Sequence, residues 1–246
     1  MIALLKKIFF EIKYLINKIR PIRPIILMYH RVAEDTDDSH LLCVSPKNFR
    51  DHIQYLKKYR KIVTLEEITK NSVDNKSVAI TFDDGYGDNL YNALPILQEF
   101  NAPATIFIST GFLGQKFPWD NDNSSGMGMT ENEIIELSKN TNIEIGAHTM
   151  THPHLSTLSY ENKKNEIENS KKELEKIITK PVLSFAYPFG DFDDESIKIL
   201  KESNFERAVI VRAKNVTQTN NEYSLPRFIV RNWDKDKFKR KINTFK

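Results

Sequence analysis

Two adjacent carboxylates, Asp83 and Asp84, follow the apolar run Val78-Ala79-Ile80-Thr81-Phe82. Two histidines four residues apart, His148 and His152, follow another such run, Ile143-Glu144-Ile145-Gly146-Ala147. A further histidine, His30, ends Ile25-Ile26-Leu27-Met28-Tyr29, and the turn Tyr187-Pro188-Phe189-Gly190 ends Val182-Leu183-Ser184-Phe185-Ala186. One carboxylate and two imidazoles leave coordination positions free for water and substrate, so Asp84, His148 and His152 form a candidate set for a catalytic divalent metal. Such an ion polarises a carbonyl and lowers the pKa of a bound water. Taken singly, a pair of loop histidines and an Asp-Asp-Gly turn have plainer explanations. Their joint position at the ends of separate strand-like runs favours a site.

The elements that must hold these residues alternate. Apolar, β-branched runs predict strands at Pro24–Tyr29, Ser77–Phe82, Ala104–Ser109, Ile143–Ala147, Val182–Tyr187, Arg207–Val211 and Arg227–Val230. Helical spacing predicts helices at Pro46–Tyr59, Asn89–Phe100, Thr130–Ser138, Tyr160–Thr179 and Asp193–Glu202, with a short basic helix from Asp234 onward. Strand followed by helix, repeated, argues an α/β fold with a parallel sheet or barrel, whose catalytic groups gather at the C-terminal ends of the strands. The Glu- and Lys-rich segment Tyr160–Thr179 reads as an exposed helix with pairs four residues apart and is assigned no function. Residues 111–129 carry no regular period and read as a long loop of the kind that often serves a site.

The chain has 246 residues, 40% of them hydrophobic and 28% charged, which suits a globular protein with a real core. Its single cysteine, Cys43, excludes a disulfide framework and a multi-cysteine zinc site. The net charge of +3 is uneven: residues 1–25 and 231–246 are each at +5, leaving the middle at −7. Basic ends on an acidic body point to an anionic surface rather than to nucleic acid. Three segments follow: an amphipathic basic helix within 1–23, a catalytic domain at 24–231, and a basic tail at 232–246. The first segment lacks the unbroken apolar run of a signal peptide or a membrane span. It is read either as an interfacial helix, with residues 1–20 on a membrane, or as a helix packed on the domain. The corresponding location is cytoplasmic, or peripheral on the cytoplasmic face of a membrane.

At these residues the chain resembles the polysaccharide deacetylases of carbohydrate esterase family 4, the NodB-type domain. Thr81-Phe82-Asp83-Asp84-Gly85 matches the first family motif and His148-Thr149-Met150-Thr151-His152-Pro153 the second, and the resemblance runs from about Pro24 to Arg231. It implies a distorted (β/α) barrel with fewer than eight regular units. It implies metal-dependent removal of an N-acetyl group from an amino sugar in a polysaccharide or glycan precursor. Asp83 would be the general base, and Asp84, His148 and His152 the ligands of a divalent ion, Zn²⁺ first, with Co²⁺, Ni²⁺ or Mn²⁺ as alternatives. In the turn that ends the Val182 run, the Phe189 N–H is the candidate oxyanion donor, Tyr187 is a candidate substrate contact, and Trp119 either stacks on a sugar ring or plugs its loop onto the core.

Two departures qualify the resemblance. Ala186 stands where many members carry an arginine that orients the catalytic aspartate, and Arg227 is the candidate replacement. No histidine follows His154, which is taken as structural. Leu27-Met28-Tyr29-His30-Arg31-Val32 resembles the circularly permuted poly-N-acetylglucosamine deacetylases, in which the histidine motif precedes the first motif, so His30 becomes the candidate acid. A strand-end histidine bonding the backbone is the alternative for it. Two rival functions remain: a deformylase or other deacylase acting on a lipid-linked amino sugar, and a glycan-binding protein on an inactive deacetylase fold.

Overall fold

The structure is a computed structural model that describes residues 22–34, 37–70, 72–121 and 123–245. The amphipathic helix expected within residues 1–19 lies outside the described residues. Seven strands form a closed parallel ring: β1 (Ile25–Tyr29), β5 (Ser77–Phe82), β6 (Ala104–Ile108), β7 (Ile143–Ala147), β8 (Ser184–Ala186), β9 (Arg207–Val211) and β10 (Leu225–Ile229). The ring closes because β1 pairs with β10 on one side and β5 on the other, in the register Leu27↔Phe228 and Leu27↔Ile80. Short strands β2 (Arg31–Val32) and β3 (Cys43–Val44) pair with each other, and β4 (Lys61–Ile62) pairs with the first two residues of β5. These two-residue strands are too short to leave a periodic signal, and none was anticipated.

Near-continuous apolar strands are what a sheet buried on both faces requires. The alternation of side chains along each strand sorts them into two cores. Ile26, Ala79, Phe107, Ala186, Val209 and Leu225 form a small inner cluster. Their neighbours Leu27, Ile80, Ile106, Phe185, Ala208 and Phe228 join the larger outer cluster beneath the helices. The ring is narrow, so large inner side chains such as Phe107 are met by small ones, Ala79, Ala186 and Gly146. Gly146 shows how narrow: a Cβ there would lie 2.4 Å from the Phe107 ring.

Seven α-helices surround the ring among the described residues: α1 (Pro46–Tyr59), α2 (Leu65–Ile68), α3 (Leu94–Glu99), α4 (Glu131–Ser138), α5 (Tyr160–Ile178), α6 (Asp194–Glu202) and α7 (Lys235–Thr244). Ser45, Thr64, Thr130, Ser159, Asp193 and Asp234 cap their first turns through side-chain oxygens, which satisfies N–H groups that have no helical partner. The helix expected over Asn89–Phe100 is broken into a π turn, Asn89–Ala93, and α3. Pro95, which has no N–H to donate, sits in the first turn of α3. Helix α7 does not trail from the domain: Phe238 and Ile242 are fully buried in the outer core, with Phe238 stacked on His52 at 3.8 Å.

Candidate active site

The sequence Thr81-Phe82-Asp83-Asp84-Gly85 does two things at the end of β5. Strand alternation points Asp83 inward like Thr81, and its N–H donates to the Tyr29 carbonyl at 3.0 Å, which continues the barrel closure. Asp84 and Gly85 then both adopt left-handed backbone, with φ of 73° and 85°. For Asp84 this conformation is sparsely populated and carries a steric cost, and its carboxyl lies against His148 and His152 while that of Asp83 meets Arg227.

Asp83 meets Arg227 of β10 in a bidentate pair, both N···O distances being 2.6 Å. Arg227 also donates to Thr81 Oγ1 at 3.0 Å, lies over the Phe107 ring, and is fully buried. This is the cation that the sequence lacked at Ala186. The small Ala186 and Ala79 side chains of the inner core accompany an arginine that enters from a different strand. Burial alone would raise the Asp83 pKa. The charge and hydrogen bonds of Arg227, with His148 and His30 nearby, outweigh it and hold the carboxyl at about 2. Asp83 is therefore ionised throughout the neutral range.

Asp84 has no such partner among the described residues. Burial, reinforced by the charges of Asp83 and Asp120, pushes its carboxyl well above the usual range. Its Oδ1 lies 3.5 Å from His148 Nε2 and 3.6 Å from His152 Nε2, and the three ligand atoms all fall within 4.8 Å of one another. His148 Nδ1 donates to the Ala186 carbonyl at 2.7 Å, so the ring must present an unprotonated Nε2 to the cluster. Burial also lowers the pKa of both histidines, that of His152 to about 2, which keeps them in the neutral form that binds metal. A buried carboxyl with no cation paired to it among the described residues, beside two neutral imidazoles, fits a divalent ion, and Asp84, His148 and His152 would hold it.

His30, partly exposed, follows β1 beside this cluster. Its carbonyl accepts from Asn89 Nδ2 at 2.9 Å, and Asn92 of the same π turn donates to the Val32 carbonyl at 2.7 Å. The irregular turn thus aims two amides at the segment that carries His30, a role with no signature in the sequence. Desolvation lowers the His30 pKa to about 4, against the opposing charge of Asp83. The resting imidazole is neutral.

The remaining candidates divide. Trp119 borders the cluster, its ring 4.6 Å from that of His152, while its indole N–H donates to Tyr86 and its ring stacks on Phe117. The long loop that carries it is fastened by Arg31, which reaches Asp88, Ser124 and Ser125. Phe189, at φ 60°, is 56% exposed, with its ring 4.6 Å from His152 and stacked on His154 at 4.0 Å. Around it, the N–H groups of Tyr187, Gly190 and Asp191 go to the carbonyls of Val209, Tyr187 and Pro188, and Pro188 has none, which leaves Phe189 as the turn's free donor. Tyr187 is corrected as a substrate contact. It shares the outward parity of Phe185, is fully buried, and packs on Phe185 and Phe192 beneath the helices.

A buried Asp-Arg pair, an Asp-His-His cluster and a strand-end histidine at the C-terminal mouth of a seven-stranded parallel barrel define a hydrolase site of the carbohydrate deacetylase type. The chain belongs to the polysaccharide deacetylase family, whose profile matches residues 70–208. It is 30% identical to poly-beta-1,6-N-acetyl-D-glucosamine N-deacetylase of Staphylococcus aureus over 205 residues, 76% of this chain and 67% of that one. A polysaccharide deacetylase from Bacillus cereus superposes with a TM-score of 0.75 at 27% identity, over 89% of this chain and 69% of that chain. The Streptococcus pyogenes deacetylase PplD, solved with acetate, shares the fold with a TM-score of 0.77 at 24% identity, over 92% of this chain and all of that one.

Proposed function

We propose that the protein hydrolyses the N-acetyl group of an amino sugar within a glycan, an N-acetylglucosamine polymer being the first substrate to test. The observation that carries this reading is the juxtaposition of an ionised, arginine-clamped Asp83 with the Asp84–His148–His152 cluster. Bound there, a divalent ion would supply Lewis acidity for the amide carbonyl and the attacking water; Zn²⁺ suits the donor set, with Co²⁺, Ni²⁺ and Mn²⁺ as alternatives. Asp83 takes the proton of the attacking water, and Arg227 keeps it ionised and aimed. The Phe189 N–H donates to the developing oxyanion. The proton that Asp83 takes from the water is the one the departing amine requires, and His30, neutral at rest, relays it to the amine nitrogen. Acetate and a free amino sugar result. Trp119 and Phe189 flank His152 and offer ring faces to the sugar.

The test is acetate release from N-acetylglucosamine oligomers by protein loaded with Zn²⁺ or Co²⁺, then with chelator, then with Asp83→Asn. Release that needs both metal and Asp83 supports the reading. No release by metal-loaded protein moves the assignment to a lipid-linked substrate carrying another acyl group, and then to glycan binding without turnover.

A peripheral contact with an anionic membrane, through residues 1–20 and on the cytoplasmic face, is a second element of the proposal. What favours it is that Arg60 reaches the carbonyls of both Arg23 and Ile242, at 3.3 and 3.5 Å. The chain therefore enters the domain beside basic helix α7. No described helix is long and apolar enough to cross a membrane. Co-sedimentation with anionic vesicles, with and without residues 1–20, decides it: equal sedimentation of both forms removes those residues from the contact.

A further inference from the structure

The two histidines of the cluster are held in different ways. His148 is fixed at its far nitrogen, where Nδ1 donates to the Ala186 carbonyl. His152 Nδ1 is buried and has no hydrogen-bond partner among the described residues. A ligand histidine is ordinarily oriented by a bond at its second nitrogen. Without one, the position of His152 must come from its backbone and from ring contacts with Trp119 and Phe189.

That backbone is a tight turn with two non-glycine residues in the left-handed region, Thr149 at φ 63° and His152 at φ 58°. Such conformations persist only where the surroundings over-determine them. Thr149 Oγ1 accepts the His152 N–H at 3.0 Å, and the Thr149 and Met150 carbonyls accept from Thr110 and Gly111. The two outward N–H groups of the turn, those of Met150 and Thr151, both donate to Glu166 Oε2, at 2.8 and 2.9 Å. The Thr151 hydroxyl donates to Glu166 Oε1 at 2.7 Å. Consecutive N–H groups converging on one oxygen make a small anion-binding concavity, and here a side chain of α5 fills it. Two other acids of this helix pair as its sequence suggests: Glu168 with Lys164 and Lys172, and Glu175 with Lys171. Glu166 forms no ion pair among the described residues and spends its carboxylate on the turn.

We propose that Glu166 is the positioning residue for the metal ligand His152, setting cation affinity by locking the turn from outside the site. The proposal rests on the metal reading above. Zn²⁺ dissociation constants, measured by chelator competition, and Co²⁺ absorption spectra are compared for the wild type, Glu166→Ala, Glu166→Gln and Thr151→Val. Glu166→Ala should weaken Zn²⁺ binding by about 10- to 100-fold, the range for losing an outer support of a metal ligand, and should alter the Co²⁺ band shape. Glu166→Gln keeps a carbonyl oxygen for the two N–H groups and should recover affinity to within a few-fold of the wild type. Thr151→Val keeps the backbone pair and should fall between. The unfolding temperature of the metal-free protein separates positioning from general support. If Glu166→Ala lowers that temperature yet binds Zn²⁺ as tightly as the wild type with an unchanged Co²⁺ spectrum, the proposal is overturned. If Glu166→Ala does not fold, the contrast between Glu166→Gln and Thr151→Val carries the test, and equal wild-type affinity in Thr151→Val overturns it. A folded wild type that binds neither cation overturns the metal reading itself, a result distinct from wild-type binding that Glu166 does not affect.

Discussion

Two arginine–carboxylate pairs lie in the interior of this barrel, one at each end. At the N-terminal end of the strands, Glu144 of β7 accepts from Thr105, Ser184 and Arg207, one residue from each of three other strands. Arg207 is further paired with Glu206. Both Glu144 oxygens and the guanidinium are used, and the arrangement closes the bottom of the barrel. At the C-terminal end, Arg227 saturates Asp83, but the carboxyl next along the chain, Asp84, faces two neutral imidazoles and, among the described residues, pairs with no cation. The ingredients of the two ends are alike. What separates a plug from a site is whether a carboxyl is matched by a cation, and at the mouth three converging ligand groups have none among the described residues.

The contrast can be broken by exchanging its terms. The largest effect is expected from Asp83→Asn, which removes the base and should cut kcat for acetate release by about a thousandfold while Zn²⁺ affinity stays close to the wild type. A variant that loses its metal together with its activity would mean that the two aspartates do not divide labour as described.

Arg227→Met should come next, because it strands a buried charge. A stability loss of about 3–5 kcal/mol is expected in urea titrations at pH 7. The Asp83 carboxyl is held at about 2 in the folded protein, below its unfolded value, so the stabilisation it provides is present above roughly pH 4 and is lost as the pH falls toward 2. In Arg227→Met, burial without its cation should raise the Asp83 carboxyl above its unfolded value, so the sign reverses: the variant should regain stability as the pH falls and the stranded charge is protonated, while the acid limb of kcat/KM should move to higher pH.

At the opposite end, Arg207→Met should also destabilise, by about 1–3 kcal/mol, since Glu144 keeps two hydroxyl donors and is partly open to water. Its kcat should change less than twofold. Equal activity losses for Arg227→Met and Arg207→Met would erase the distinction between the two ends.

A last prediction concerns neither end and is silent at the active site. His52, fully buried between Tyr29 and Phe238, has its pKa lowered to about 4, chiefly by burial. The unfolded state therefore binds more protons between roughly pH 6.5 and 4, and stability should fall as the pH drops through that window, by about 3 kcal/mol from this residue. His52→Phe should be less stable at pH 7, where the Trp233 carbonyl loses its donor, yet flatter across the window in urea titrations. An equal slope in both proteins would assign the acid sensitivity elsewhere.

Much of this was legible before any coordinates. Ser77–Phe82, Ile143–Ala147 and Arg207–Val211 match their strands residue for residue, because a strand buried on both faces leaves a dense apolar run. The cluster of Asp84, His148 and His152 was visible as polar residues at the ends of such runs. Tyr187 was misread because the turn was taken as a unit. Counting parity from Ala186 would have turned it outward. Arg227 was a candidate for the cation absent at Ala186, and the same count supports it, since Leu225 and Arg227 share the inner face. The anchoring of the His30 segment by Asn89 and of the His152 turn by Glu166 depends on how helices sit against loops. No local pattern in the chain encodes that.

A closed ring has no first strand. Because β1 lies between β10 and β5, the histidine it contributes occupies the same sector of the mouth wherever the polypeptide happens to be cut. Arg60 touches the backbone both where the described chain enters and near where it leaves, so a short bridge between those points would span little distance. The order in which functional residues appear along such a chain is then an accident of connectivity. A protein whose ends are joined and whose chain is re-cut between β4 and β5 should assemble the same mouth, with the two aspartates near its beginning and His30 near its end.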